Sequence, residues 1–190
     1  MTANRTPQTA RVPGSALVII DMQVAFRDDG SPWQVAGYDA TADKVSALAA
    51  ELPERIIWTR FVRDPAEQGS WSGYYDRWNS FRVDEDDPAW DITLPVSEAD
   101  NIVTLPTFGK WGDELESLTA DAQHLIACGV ATECCVLSTV LAAADAGKTI
   151  TLVTDACAGA TEELHVQTLD ILDALSPMVT LTTTAELIDS

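Results

Sequence analysis

The stretch QHLIACGVATECCVLSTVLAAADAGKTITLVTDA, residues 123–156, decides the fold. "QHLIAC" (123–128) and "KTITLVTDA" (148–156) are apolar runs of strand length, the pattern of strands buried on both faces. Between them "ECCVLSTVLAAADAG" (133–147) is long enough for a helix, is rich in Ala and Leu, and closes on Gly147, a favoured helix terminator. Strands joined through a helix pair in parallel by a crossover, because a tight hairpin is not available to them. Outward from this unit the same alternation continues in both directions. "ALVIID" (16–21), "RIIWTRF" (55–61) and "NIVTLP" (101–106) read as earlier strands, and "MVTLTTT" (178–184) as a sixth. "YDATADKVSALAAEL" (38–52) reads as a helix capped by Asp39 or Thr41, and "GDELESL" (112–118) as one capped by Asp113 with Glu116 completing the pair. "ATEELHVQTLDILDAL" (160–175) is a further helix, and a short one follows the sixth strand. Alternation along the whole chain implies an α/β fold: an open, doubly wound (Rossmann-like), mostly parallel six-stranded sheet with helices on both faces.

At 190 residues the chain is long enough for one domain with a sizeable core, expected over residues 15–190. Residues 1–14 are polar and read as a flexible N-terminal arm without an apolar signal core. With 46% hydrophobic and 22% charged residues the composition is that of a globular protein. The formal charge of −19 excludes nucleic acid and anionic membrane as expected partners, since both would repel it. No stretch approaches the roughly 20 apolar residues of a membrane span. Four cysteines without scaffold-like spacing point to reduced thiols and a cytoplasmic location. The partners expected are a small-molecule substrate and further copies of the chain.

Sheets of this kind bind ligands beyond the carboxyl ends of their strands. Asp21 closes the first strand, Lys110 follows the third, and Cys134 and Cys135 follow the fourth. An acid, a cation and a thiol thus converge where the fold gathers ligands. Cys128 and Cys157 lie inside strand patterns and read as small buried hydrophobes. With Thr132 as N-cap, Cys135 falls in the first helical turn, where free amides converge. The macrodipole and Lys110 would favour a thiolate there, so its pKa is expected to fall. Cys134 lies about 100° around the helix. Geometry admits either cysteine as nucleophile, but not both.

"ALVIIDMQVAF", "TFGKWG" and "GVATECCVLST" together resemble the isochorismatase-like cysteine hydrolase superfamily, which includes nicotinamidases and N-carbamoylsarcosine amidases. The matching positions are Asp21, Gln23 and Phe26, then Lys110, then Gly129, Thr132, Glu133, Cys135 and Val136. The resemblance spans residues from about 15 to the C-terminus and implies that Cys135 is the nucleophile and Cys134 a variable neighbour. It further implies hydrolysis of an amide-type substrate through a thioester, with Asp21 moving protons and Lys110 holding charge. An oxyanion hole from the backbone amides of Ala131 and Cys135, beside a cis Val130–Ala131 bond, belongs to the same implication.

Nicotinamidases hold a metal with an Asp and two His near the second strand's end. Here "TRFVRDPAEQ" has Phe61 and Arg63 instead, and the two histidines, His124 and His165, stand elsewhere. No catalytic metal and no other cofactor are therefore expected, and nicotinamide is a poor candidate substrate. Phe26 and Trp111, adjoining motif residues, are expected to wall the pocket, together with Trp78. "GSWSGYYDRWNSF" (69–81) reads equally well as aromatic pocket lining or as a structural flap. Two other functions fit the same residues. A vinyl-ether hydrolase of the isochorismatase type would need Asp21 but not Cys135. A redox or ligand-binding protein would use the Cys134–Cys135 pair and leave Asp21 and Lys110 idle.

Overall fold

The structure, a computed structural model, describes residues 14–52 and 55–189, so the expected N-terminal arm lies outside the described residues except for Gly14. The elements run β1 (Ala16–Ile20), α1 (Val24–Arg27), α2 (Tyr38–Glu51), β2 (Ile56–Phe61), α3 (Trp71–Arg77), β3 (Asn101–Leu105), α4 (Asp113–Leu118), β4 (His124–Val130), α5 (Leu137–Asp145), β5 (Thr149–Ala158), α6 (Glu162–Asp173), β6 (Val179–Thr182) and α7 (Thr184–Ile188). Two short 3₁₀ turns, Asn79–Phe81 and Pro88–Trp90, interrupt the long stretch between α3 and β3.

All six strands are parallel, in the order β3-β2-β1-β4-β5-β6. The chain starts in the middle, builds outward to β3, then returns to lay β4 against β1. That reversal makes the β1–β4 boundary the switch point, where crevices open beyond the carboxyl ends of strands. Leu17 and Ile19 face the same side as Ile56 and Trp58, and α2 covers that side through Ser46 and Ala49. Val18, Leu125 and Ala127 face the other side, under Leu115 of α4 and Val140 and Ala143 of α5. Both faces are covered, which is why the β1 run is apolar without alternation and buried at every position.

Several cap expectations need correction. Gly37, in the left-handed region at φ 74°, precedes α2, so Asp39 falls in its first turn and Thr41 is buried inside it. Gly112 precedes α4, and Asp113 is already helical with no side-chain cap. Helix α6 is capped by Thr161 and α7 by a full capping box from Thr183 and Glu186. Gly147 does close α5, at φ 91°. Among the described residues no helix is long and apolar enough to cross a membrane.

Candidate active site

Strand β1 delivers Asp21 at the switch point. The residue has φ 51°, a left-handed conformation that aspartate tolerates better than most side chains. Thr59 of β2 holds it twice: the Asp21 amide donates to Thr59 Oγ1 at 3.2 Å, and that hydroxyl donates to Asp21 Oδ1 at 2.6 Å. One carboxylate oxygen is thereby occupied. The other, Oδ2, is buried and lies 3.1 Å from Lys110 Nζ, and a hydrogen bond between Asp21 and the Cys135 thiol helps to hold that thiol protonated. Gln23 braces the next turn, its amide donating to the Phe61 and Trp90 carbonyls and its oxygen accepting from the Phe61 amide.

Lys110 arrives on the loop after edge strand β3 and is wholly buried. Its ammonium donates to the carbonyls of Thr107 and Phe108 and stands 4.8 Å from the Phe61 ring centroid. A buried lysine needs such neighbours to keep its charge.

Cys135 follows β4. Gly129 allows the approach of that strand, for it has φ 116° and a Cβ there would lie 2.1 Å from the Ile20 carbonyl oxygen. The Val130–Ala131 peptide bond is cis. The following turn corrects the expectation of a Thr132 N-cap. Thr132–Val136 is a π-helical turn that starts after Ala131, and the Thr132 hydroxyl pairs with His165 Nδ1 at 2.9 Å instead. The amides of Cys134 and Val136, on either side of Cys135, both reach the Ala131 carbonyl, at 3.1 and 3.2 Å. Single π turns of this kind recur at functional sites.

Only 2% of Cys135 is exposed, and burial pushes its thiol well above the ordinary range. The neighbouring Asp21 carboxylate pushes the same way, while Lys110 pulls it down. The expected low pKa is thus overturned. Desolvation outweighs the nearby cation that was expected to lower it. Cys134 is half-buried, and burial lifts its thiol to about 11, with Glu133 adding to the rise.

Around this centre stands an aromatic cluster. Phe61, Trp71, Tyr74 and Phe108 contact one another with centroids 5.0–6.2 Å apart. Tyr74 lies close enough to both thiols for their charges to add to the effect of burial in raising its phenol. Trp33, which the sequence did not single out, is a hub: it stacks on Phe81 at 3.8 Å and on Phe26 at 5.9 Å. Phe26 is therefore buried under Trp33, and Trp78 lies 6.5 Å beyond Tyr74 with the Arg77 guanidinium over it. Trp111 points elsewhere: its ring contacts Lys148 at 5.8 Å, near the start of β5, at the sheet's opposite end. Position next to Lys110 in sequence misled because successive loop residues need not face one way. Within 69–81, Trp71, Tyr74 and Tyr75 of α3 pack against one another, and Tyr75 is buried.

The place where a metal would be held by a nicotinamidase-like site does not suit a cation. Phe61 offers a ring, and Arg63 is paired with Glu67 at 2.5 Å, which Arg82 also binds. Among the described residues no three His, Cys, Asp or Glu side chains gather as a metal-binding group.

The Isochorismatase domain model matches residues 15–186. A probable inactive nicotinamidase of Arabidopsis thaliana is 31% identical over 175 residues, covering 84% of this chain and 87% of that protein. Solved structures with the same fold include a cysteine hydrolase from Pseudomonas syringae pv. phaseolicola, at TM-score 0.82 and 19% identity over 96% of both chains. A pyrazinamidase of Pyrococcus horikoshii in complex with zinc aligns at TM-score 0.75 and 23% identity, over 90% of this chain and 99% of the other. Matched along nearly its whole described length, the chain belongs to the isochorismatase family.

Proposed function

We propose that the protein is a cysteine hydrolase that cleaves the C–N bond of a small, uncharged amide, carbamoyl compound or lactam. The observation that carries this reading is the setting of Asp21: a buried carboxylate paired with Lys110 at 3.1 Å and hydrogen-bonded to the Cys135 thiol, which its surroundings hold neutral. A resting thiol with an adjacent free base suits a nucleophile deprotonated only as it attacks.

In this mechanism Asp21 Oδ2 takes the Cys135 proton while the sulfur attacks the carbonyl carbon. The tetrahedral oxyanion is received by the backbone amides of Ala131 and Cys135. Lys110 balances the charge that passes between thiolate and carboxylate. The C–N bond breaks as Asp21 returns its proton to the departing nitrogen, leaving a thioester. Asp21 then removes a proton from water, the hydroxide attacks the thioester carbonyl, and the acid leaves as Cys135 regains its proton. Every proton removed is returned, so neither oxidant nor cofactor is consumed. Phe61, Trp71, Tyr74 and Phe108 favour an apolar or flat remainder on the substrate.

The test is a panel of small amides assayed for nitrogen release with wild type and Cys135→Ser, with intact mass followed during turnover. Loss of turnover by about a thousandfold or more in Cys135→Ser, with an acyl adduct in the wild type, is expected. Undiminished hydrolysis of a vinyl ether by Cys135→Ser would put the Asp21-only reading in its place. Absence of turnover on every substrate would agree with the inactivity ascribed to the Arabidopsis relative.

A further inference from the structure

Lys110 meets Asp21 at 3.1 Å, but among the described residues none of its ammonium's contacts ties the loop that carries it to the turn that carries Cys135. It follows β3 at the sheet edge, and β2 and β1 stand between that strand and β4, which delivers Cys135. The carbonyls that hold its ammonium, those of Thr107 and Phe108, belong to the same loop. They fix the side chain relative to its loop, not the loop relative to the nucleophile.

Thr139, in the first turn of α5, spans that gap. Its hydroxyl accepts from the Lys110 backbone amide at 2.9 Å and donates to the Cys135 carbonyl at 2.6 Å, both bonds buried. The polarity is set by chemistry: an amide N–H only donates and a carbonyl only accepts, so the one hydroxyl proton must go to Cys135. Beside it the loop sits directly on the helix, for a Cβ at Gly109 would lie 3.6 Å from Ser138 Cβ.

We propose that Thr139 is a positioning residue whose hydroxyl ties the Lys110 backbone to the Cys135 turn and so keeps the ammonium within reach of the thiol and Asp21. The inference rests on Cys135 being the nucleophile. A threonine that bonds the carbonyl four residues back is common in helices, and Thr168 supplies that case here. It is buried and donates to the Leu164 carbonyl at 2.8 Å. Thr168→Val therefore removes one helical back-bond, whereas Thr139→Val removes the back-bond and the tether.

The experiment follows the rate of carbamidomethylation of Cys135 by iodoacetamide between pH 7 and 8.5, read by peptide mass in wild type, Thr139→Val, Thr139→Ala, Thr139→Ser and Thr168→Val. Circular dichroism first establishes that each variant is folded, and the two hydroxyl deletions back each other. With Lys110 released, the thiolate loses its nearby cation and the rate at each pH falls about tenfold, as for a pKa raised by about one unit. Thr139→Ser should restore the wild-type rates, and Thr168→Val should keep them even where its melting temperature falls. Rates of Thr139→Val and Thr139→Ala that overlay wild type overturn the tether and leave the nucleophile assignment standing. A wild-type protein modified at Cys134 and never at Cys135 overturns that assignment, and the tether with it.

Discussion

Asp21 divides its work between two oxygens. Oδ1 accepts from the Thr59 hydroxyl, and Oδ2 pairs with Lys110 at 3.1 Å. Its charge also raises the Cys135 thiol, second only to burial. Asp21→Asn should therefore have opposite effects on two readouts. Turnover should fall by about 10²–10⁴-fold, because the proton carrier is gone. Alkylation of Cys135 at pH 8 should quicken, because removing a like charge lowers the thiol pKa toward its ordinary value. Parallel losses in both would mean that Asp21 acts only as a structural prop. Asp21, Lys110 and the Cys134–Cys135 pair stood out because each follows a strand end, and the choice of Cys135 over Cys134 came from the family resemblance alone. Thr59 and Thr139 were not, since a threonine becomes a clamp only through the register that sets it opposite a particular atom. Trp33 was missed because one aromatic in a loop carries no periodic signal.

At the scale of elements, the approach of β4 to β1 depends on a side chain that is missing. Ile20 pairs with Gly129 at the switch point, and a methyl at Gly129 would meet the Ile20 carbonyl at 2.1 Å. Backbone cannot yield as a flexible side chain would, and φ 116° adds strain for any other residue. Gly129→Ala should cost more than about 4 kcal/mol in urea unfolding, among the large single-residue effects. A cost near 1 kcal/mol would show that β4 can shift away from β1. At the other end of the sheet Lys148 is buried and donates at 2.8 Å to the carbonyls of both Thr119 and Ala122, joining the end of α4 to the approach to β4. Lys148→Met keeps the packing but strands two acceptors, and should cost about 3 kcal/mol. Strand positions were readable to within one or two residues because the apolar runs are long. Helix starts were less so: Gly37 and Gly112 take the cap positions that polar side chains were expected to hold, and a π turn cannot be told from an α turn by composition.

For the whole molecule, the sheet order was the step beyond sequence reading. Alternation gives parallel strands and two covered faces, but the placing of β4 against β1 depends on which buried surfaces fit. That packing seals three thiols from water, and their protons then link stability to pH. Burial pushes Cys128 and Cys135 well above their ordinary range and Cys157 up to about 12. In the unfolded chain all three titrate near about 8.5. Below that value both states hold the protons, and the stabilising contribution is complete. Above it the unfolded chain releases protons that the folded chain keeps, so unfolding becomes easier as pH rises toward the folded values. Each thiol contributes a slope of up to about 1.4 kcal/mol per pH unit, and half-buried Cys134, lifted to about 11, adds a fourth. The urea midpoint should hold level from pH 7 to about 8.5 and then fall as pH rises. Replacing Cys128 and Cys157 by alanine should flatten that fall to about half of its slope, whatever the double variant's stability at pH 7. An unchanged slope in the double variant would place the alkaline linkage on other groups, foremost Tyr38, whose phenol burial lifts to about 12.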